Sequence, residues 1–361
     1  MDNNRIRVLQ VSPSLDLGGT EKVMQSFAVN LDDKLFETAV YSPVDGPRGR
    51  ILRKYGVATF INADLFSVLL KFRPDVVHIH RAGWAEPGSL RPIKLAEIPV
   101  LVETNVFGRH DPTPEANLID RHLFVSQFCA ARFEKVNSIP AVTPKYSVLY
   151  NPVDTDFFAE HCPADRERPL NSFGRISRAD KGKWSSLAID FLPILEKQVK
   201  SGMLQPFLYS IIGGIPEAEQ FVAEHNLQKY VNFLPPVLTD AEISDFLNSI
   251  GFLVHANDTG ESFGLVIAEA MAAGLPVITH PSKGLRDNAQ LELVEHGETG
   301  IVASDSHEFA QAVKFLLTHP QKAREMGEKG RDKAAKLFRA QDIAAKLGSI
   351  YIELLKIKNK I

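Results

Sequence analysis

Two glutamates eight positions apart stand out as the residues best suited to chemistry, in the run Gly260-Glu261-Ser262-Phe263-Gly264-Leu265-Val266-Ile267-Ala268-Glu269-Ala270-Met271-Ala272-Ala273-Gly274. Carboxylates accept strong hydrogen bonds, so such a pair suits a hydroxyl-rich group. The run reads as a loop, a helix over Phe263–Ala273, and a stop at Gly274 with Pro276 behind it. Glycines at 260 and 264 let backbone approach a ligand closely. The free amides and dipole at the helix start make a ready anion site. On this reading Glu261 sits just outside the helix and Glu269 about two turns within it. Spacing alone favours a plainer reading, Glu261 as a charged cap and Glu269 as a solvated helix residue.

A second candidate is the cationic stretch Phe173-Gly174-Arg175-Ile176-Ser177-Arg178-Ala179-Asp180-Lys181-Gly182-Lys183-Trp184. A strand opening into such a loop suits a diphosphate leaving group, whose growing charge needs neutralising. Arginine grips phosphate with paired donors, and lysine adds a point charge. An exposed basic loop is the alternative. In Pro74-Asp75-Val76-Val77-His78-Ile79-His80, alternation puts both histidines on one face of a strand. His80 lies nearest the strand end, where open α/β sheets bind ligands. No third ligand follows at metal-binding spacing, so a metal site is not expected. Arg81, Trp84 and Arg109 are candidates for contact with a second substrate, or plain surface residues.

These residues need rigid elements behind them. Short apolar strand-like runs alternate with helices: Ile6–Val11, Thr38–Tyr41, Asp75–His80, Val100–Glu103 and His122–Val125, then Ser172–Gly174, Tyr209–Gly213, Val231–Leu234, Phe252–His255 and Pro276–Thr279. That grammar implies parallel sheets covered on both faces, an α/β fold. After the first strand comes the glycine-rich loop 12–19, and then a helix with Thr20 as its expected N-cap. At 361 residues the chain is long enough for two cores. A seam is expected near Asn151–Asp154, which divides the chain into domains at 1–155 and 156–338, with 339–361 a C-terminal helix. Asp154-Thr155-Asp156 formally matches a D-x-D metal motif, but it falls on this seam.

Composition narrows the class. A 44% hydrophobic and 24% charged make-up is that of an ordinary globular protein, and a net charge of −3 points away from nucleic acid. Two cysteines, Cys129 and Cys162, read as reduced thiols, and no stretch reaches a membrane span. A cytoplasmic protein is expected, with peripheral membrane contact still compatible.

The stretch from Gly260 to Gly274 resembles the signature of the retaining family-4, or group 1, glycosyltransferases. The resemblance implies a GT-B fold, two Rossmann-like domains facing across a cleft, with the C-terminal helix crossing back to the first. By matching position, Glu261 would contact hydroxyls of a donor sugar and Glu269 the ribose. The Ser262–Leu265 segment, with the amides of Phe263, Gly264 and Leu265, would face the diphosphate. Arg175 matches the family arginine. The family lysine falls on Lys183 or on Lys181, with Lys183 preferred. His80 resembles the histidine that approaches the reacting sugar, and Gly18-Gly19 the glycine pair after the first strand. Glu103–Arg109 departs from the Thr-x-His element common in relatives. The implied activity is sugar transfer from a nucleotide-diphosphate sugar, such as a UDP- or GDP-sugar, to a glycan, lipid-linked or small-molecule acceptor. No separate cofactor is implied. An epimerase on the same fold and a silent nucleotide-sugar-binding module are the alternatives.

Overall fold

The computed structural model describes residues 5–164, 166–169 and 171–361. The chain forms two compact units. One comprises residues 1–152 with the returning segment Ala340–Ile361, and the other spans Val153–Arg339. The first crossing lies three residues before the 155/156 boundary expected from the sequence.

The first unit holds seven parallel strands: β1 (Ile6–Val11), β2 (Phe36–Ser42), β3 (Ala58–Ile61), β4 (Val76–Arg81), β5 (Val100–Asn105), β6 (Arg121–Phe124) and β7 (Tyr146–Val148). Their order is β3-β2-β1-β4-β5-β6-β7. All six residues of β4 and of β5 are buried, as strands covered on both faces must be. Leu9, Val77, Ile79 and Leu101 pack with Leu69 and Ile93 in one apolar layer. Leu15, Met24, Ala28, Val40 and Leu52 form another.

The second unit repeats the plan with β8 (Ser172–Ile176), β9 (Leu208–Ile212), β10 (Val231–Leu234), β11 (Leu253–Val254), β12 (Val277–Thr279) and β13 (Gly300–Val302), ordered β10-β9-β8-β11-β12-β13. Phe173, Tyr209 and Phe252 stack across neighbouring strands of this sheet, with ring centroids 4.7 and 5.0 Å from Phe173.

In each sheet the chain winds outward from the centre and then reverses. The reversal falls between β1 and β4 in the first unit and between β8 and β11 in the second. Crevices outside the carboxyl ends of strands at such a point are where doubly wound sheets bind ligands.

Two helix starts differ from the sequence expectation. Gly18 is the N-cap of the helix Gly19–Asn30, so Thr20 lies in its first turn and caps nothing. The helix of the glutamate stretch is Leu265–Ala272, with Gly264 as N-cap at φ +100, a left-handed conformation that excludes Phe263 from the helix. Glu269 is consequently just over one turn inside.

Candidate active site

The loop after β8 and the loop after β11 meet at the reversal point of the second unit. Lys183 leaves the first of these and donates from Nζ to both carboxylate oxygens of Glu261, at 3.2 and 3.1 Å. Asn257 Nδ2 donates to Glu261 Oε1 at 2.9 Å, and His255 Nε2 lies 3.3 Å from the same oxygen. The Glu261 backbone N–H donates to Gln290 Oε1 at 3.1 Å. Burial alone would push the Glu261 carboxyl upward. The His255 hydrogen bond, the Lys183 charge and Asn257 outweigh it and hold the group at about 2. Glu261 is therefore an ionised acceptor at any working pH. Burial keeps His255 neutral against the pull of Glu261, so it serves as an N–H donor.

Arg175, on β8, is 1% exposed. Its Nη2 donates to the Lys183 carbonyl at 2.6 Å, and its guanidinium lies 4.5 Å from the Trp184 ring centroid. Nε and Nη1 are buried without a hydrogen-bond partner. Unsatisfied donors on a buried cation are costly, and an anion beside them would remove that cost.

No side chain caps Gly264, so the helix Leu265–Ala272 offers its first-turn amides to a ligand. Phe263 is buried edge-on against Phe338, with centroids 5.1 Å apart, and this fixes the approach to the helix. Glu269 is 3% exposed, which overturns the reading of a solvated helix residue. Glu261 is likewise no exposed cap, since it is largely buried among its partners.

The structure thus brings Arg175, Lys183 and Glu261 together. Lys181 turns away to an exposed ion pair with Glu217. His255, Asn257 and Gln290 are part of the cluster and were not singled out from the sequence. His255 follows the end of β11, and the strand-end rule that drew attention to His80 applies to it equally. Gln290 is 29 positions from Glu261 and carries no local signal.

In the first unit, Gly18 and Gly19 open the helix after the β1 loop. The β4 histidines stack with centroids 4.4 Å apart. His78 is fully used: its Nδ1 meets the Tyr351 hydroxyl at 2.6 Å and its Nε2 meets Thr104 Oγ1 at 2.8 Å. Tyr351 comes from the C-terminal helix Ala340–Ile357. Gln10 donates to that hydroxyl at 3.2 Å and accepts from His80 Nε2 at 2.8 Å. His80 Nε2 therefore carries the proton. Its Nδ1 keeps an open lone pair with no partner. Burial lowers the His80 pKa to about 3, and burial together with His80 lowers that of His78.

Both histidines fold neutral, while in the unfolded chain they take up protons near pH 6.5. Between that pH and the lowered folded pKa values the unfolded state binds more protons, so stability falls as pH falls. Urea melts at pH 7.5 and 5.5 should differ by roughly 2–3 kcal/mol for the pair. A variant with His78 and His80 both replaced by Gln should show a clearly smaller difference.

Asp154 caps the helix Thr155–His161 through the Phe157 N–H at 3.1 Å, and Asp156 pairs with Arg339 at 2.8 Å. Both acids of the D-x-D match thus have structural roles. Among the described residues, no three His, Cys, Asp or Glu side chains are grouped to hold a metal. No helix among them is long and apolar enough to cross a membrane.

Comparison with known proteins gives this geometry its setting. The sequence model of the family "Glycosyl transferases group 1" matches residues 167–333, which contain the whole cluster around Glu261. This stretch of the chain is similar to the group 1 glycosyltransferases. Among curated relatives, a GDP-mannose-dependent alpha-(1-6)-phosphatidylinositol monomannoside mannosyltransferase of Mycobacterium tuberculosis is 30% identical over 243 residues. That alignment takes in 62% of this chain and 59% of the relative. The N-acetyl-alpha-D-glucosaminyl L-malate synthase of Bacillus anthracis is 36% identical over 98 residues, 27% of this chain and 24% of the relative. These matches span well under two thirds of the relatives' lengths.

Solved structures agree on the fold. A glycosyltransferase from Rickettsia africae superposes with a TM-score of 0.78 at 18% identity, covering 98% of this chain and 99% of that one. Anabaena HepE, solved with UDP and glucose, gives 0.74 at 18% identity over 96% and 99%. The chain has the GT-B fold, two parallel-sheet α/β units.

Proposed function

We propose that this protein transfers a sugar, with retention at the anomeric carbon, from a nucleotide-diphosphate sugar to a hydroxyl acceptor. The observation that carries the reading is the meeting of Arg175, Lys183 and Glu261 at the reversal point of one sheet, beside the uncapped helix Leu265–Ala272. Cations and open amides suit a diphosphate, and an ionised carboxylate beside them suits sugar hydroxyls. Glu269, buried within the same helix, is the proposed ribose contact.

In the proposed step the C1–O bond to the diphosphate breaks while a C1–O bond to the acceptor forms on the same face. The acceptor's hydroxyl proton passes to the departing phosphate oxygen, so no protein nucleophile is required. Arg175 and Lys183 stabilise the charge that builds on the leaving group. His80, with its open Nδ1, is suited to accept from a substrate hydroxyl. Nothing in the site or among the relatives favours the epimerase reading.

The test is a thermal-shift panel with UDP, GDP, ADP and their common sugar conjugates. Relatives carrying GDP-mannose in their names and HepE with bound UDP put both bases in the panel. A ligand at about 100 times its dissociation constant should add roughly 2.7 kcal/mol of stability. Glu269→Gln, which keeps the buried volume, should lose most of that response. If no nucleotide stabilises the wild type, the donor-site assignment fails.

A further inference from the structure

The first unit has its own built feature at its reversal point, and the proposed donor chemistry makes no use of it. Just past the end of β4, Trp84 is 50% exposed, and its ring stacks on Phe107, which follows β5. The centroids are 5.8 Å apart and the planes 22° from parallel. A half-bare indole beside a ligand-binding crevice is the kind of exposed apolar surface that marks a contact.

The loops bearing these rings are held rigidly. The Val106 N–H donates to the Arg81 carbonyl at 3.0 Å, and the Phe107 N–H to the Ala82 carbonyl at 3.3 Å. Arg132 Nη2 donates to the Phe107 carbonyl. The Asn105 side chain donates to the Arg109 carbonyl at 2.8 Å and accepts from the Arg109 N–H at 3.1 Å. Gly83 has φ +98, and a Cβ there would lie 2.1 Å from Asn105 Oδ1, so the turn that presents Trp84 needs a glycine.

A buried charge cluster adjoins the loop that carries Trp84. Arg81 Nε donates to Glu103, its Nη1 pairs with Asp111 at 2.9 Å, and Glu103 also holds His122. Arg81 Nη1 reaches the Trp84 carbonyl at 3.4 Å, while Nη2 is buried with no partner. A preorganised aromatic surface beside a polar cluster with an unused donor has the make-up of a small-molecule site.

We propose that the Trp84–Phe107 pair is a stacking platform for a pyranose ring of the acceptor, which makes the acceptor a saccharide, free or carried on a lipid. A pyranose has one face of C–H groups, which pairs with an aromatic plane, and hydroxyls around its rim, which seek polar groups. This inference deepens the glycosyltransferase reading and rests on it for the word acceptor.

The test uses the full chain without donor. Trp84 and Trp184 are its only tryptophans, and Trp184 is buried. Acrylamide therefore quenches Trp84 selectively. Maltose, mannobiose and chitobiose, together with octyl glucoside below its micelle concentration, should protect the emission to different degrees. Protection by free disaccharides points to a glycan, and protection by the octyl glycoside alone to a lipid-linked sugar. Trp84→Ala, followed by calorimetry with the best of these probes, should weaken binding about tenfold or more at an unchanged melting temperature. Trp84→Phe should restore most of the affinity. If none of the four probes protects Trp84, or if Trp84→Ala binds the best probe as the wild type does, the platform is refuted. The nucleotide thermal shift is read in parallel on the same variants. Its loss in the wild type would refute the donor reading and leave the saccharide result to stand by itself.

Discussion

Replacing Glu261 by Gln is expected to lower sugar transfer by about two to three orders of magnitude while nucleoside diphosphate still binds. The substitution keeps the volume but removes the charge and turns one acceptor oxygen into a donor. The carboxylate is held by Lys183 Nζ, Asn257 Nδ2 and His255 Nε2 between 2.9 and 3.3 Å, and it is ionised down to about pH 2. All three donors converge on Oε1, Lys183 alone also reaches Oε2, and the second lone pair of Oε2 is left for a sugar hydroxyl. An amide accepts through one oxygen only and presents an N–H₂ toward Lys183. UDP or GDP alone should stabilise the variant as it does the wild type, and the increment from the attached sugar should vanish. Lys183 is about a third exposed, so losing its partner is screened by solvent and should cost only about 1 kcal/mol. Initial rates and a melting curve on one preparation separate these effects. Transfer within a few-fold of wild type would refute the assignment of Glu261 to the sugar.

The depressed carboxyl also sets a pH limit. A group whose folded pKa lies below its unfolded value of about 4.3 adds stability that is present above pH 4.3 and drains away as pH falls toward 2. This loss begins near pH 4.3, inside the window from about 6.5 to about 3 in which His80 destabilises the fold, so the part of an acid titration above pH 4.3 reads the histidines without it.

Much of this arrangement was legible because local signals coincide with the working parts. The Glu261–Glu269 stretch carries its glycines, its helix and its stop signal within fifteen residues. The strands buried on both faces open on apolar runs, Val76–Val77 in β4 and Val100–Val102 in β5, which a sequence displays openly, and carry their polar residues toward the carboxyl ends. Three short strands, Ala58–Ile61, Tyr146–Val148 and Gly300–Val302, were not expected. Each has three or four residues at or near a sheet edge, too few for a period to appear. Thr20 looked like a cap because its hydroxyl can accept from a first-turn N–H. The chain instead enters the helix at Gly18, before threonine is reached.

The parts of the site that stayed hidden depend on tertiary contact. Nothing in the sequence around Gln290 says that its amide will accept from the Glu261 N–H. Nothing near Tyr351 says that its hydroxyl will meet His78, 273 positions away. The choice between Lys181 and Lys183 was open at the level of spacing. The short 3₁₀ turn over Lys181–Lys183 separates the two, placing one on Glu261 and the other on Glu217.

Arg175→Met should reduce transfer by about two to three orders of magnitude and leave the ligand-free protein as stable as the wild type, or up to about 2 kcal/mol more stable. The two halves of this expectation have one cause. Arg175 is fully buried, and burial lowers its pKa, with Tyr209 and Glu261 offsetting only part of the effect. Of its donors, Nη2 is used on the Lys183 carbonyl, whereas Nε and Nη1 have no partner. A buried cation with idle donors is a burden on the empty protein, and an apolar side chain of similar length removes it. What is given up is one hydrogen bond and the stacking on Trp184 at 4.5 Å, together worth about 1–3 kcal/mol. With a diphosphate in place the balance reverses, because the idle donors acquire an anion that they can grip in pairs. The thermal shift produced by nucleoside diphosphate should therefore shrink in Arg175→Met, even as the ligand-free melting temperature holds or rises. Arg175→Lys keeps a charge but loses the paired geometry, so it should recover little of the transfer rate. A variant that melts several degrees lower and still transfers sugar would show the opposite: that the guanidinium is there to bridge the β8 loop, and that the diphosphate is held elsewhere.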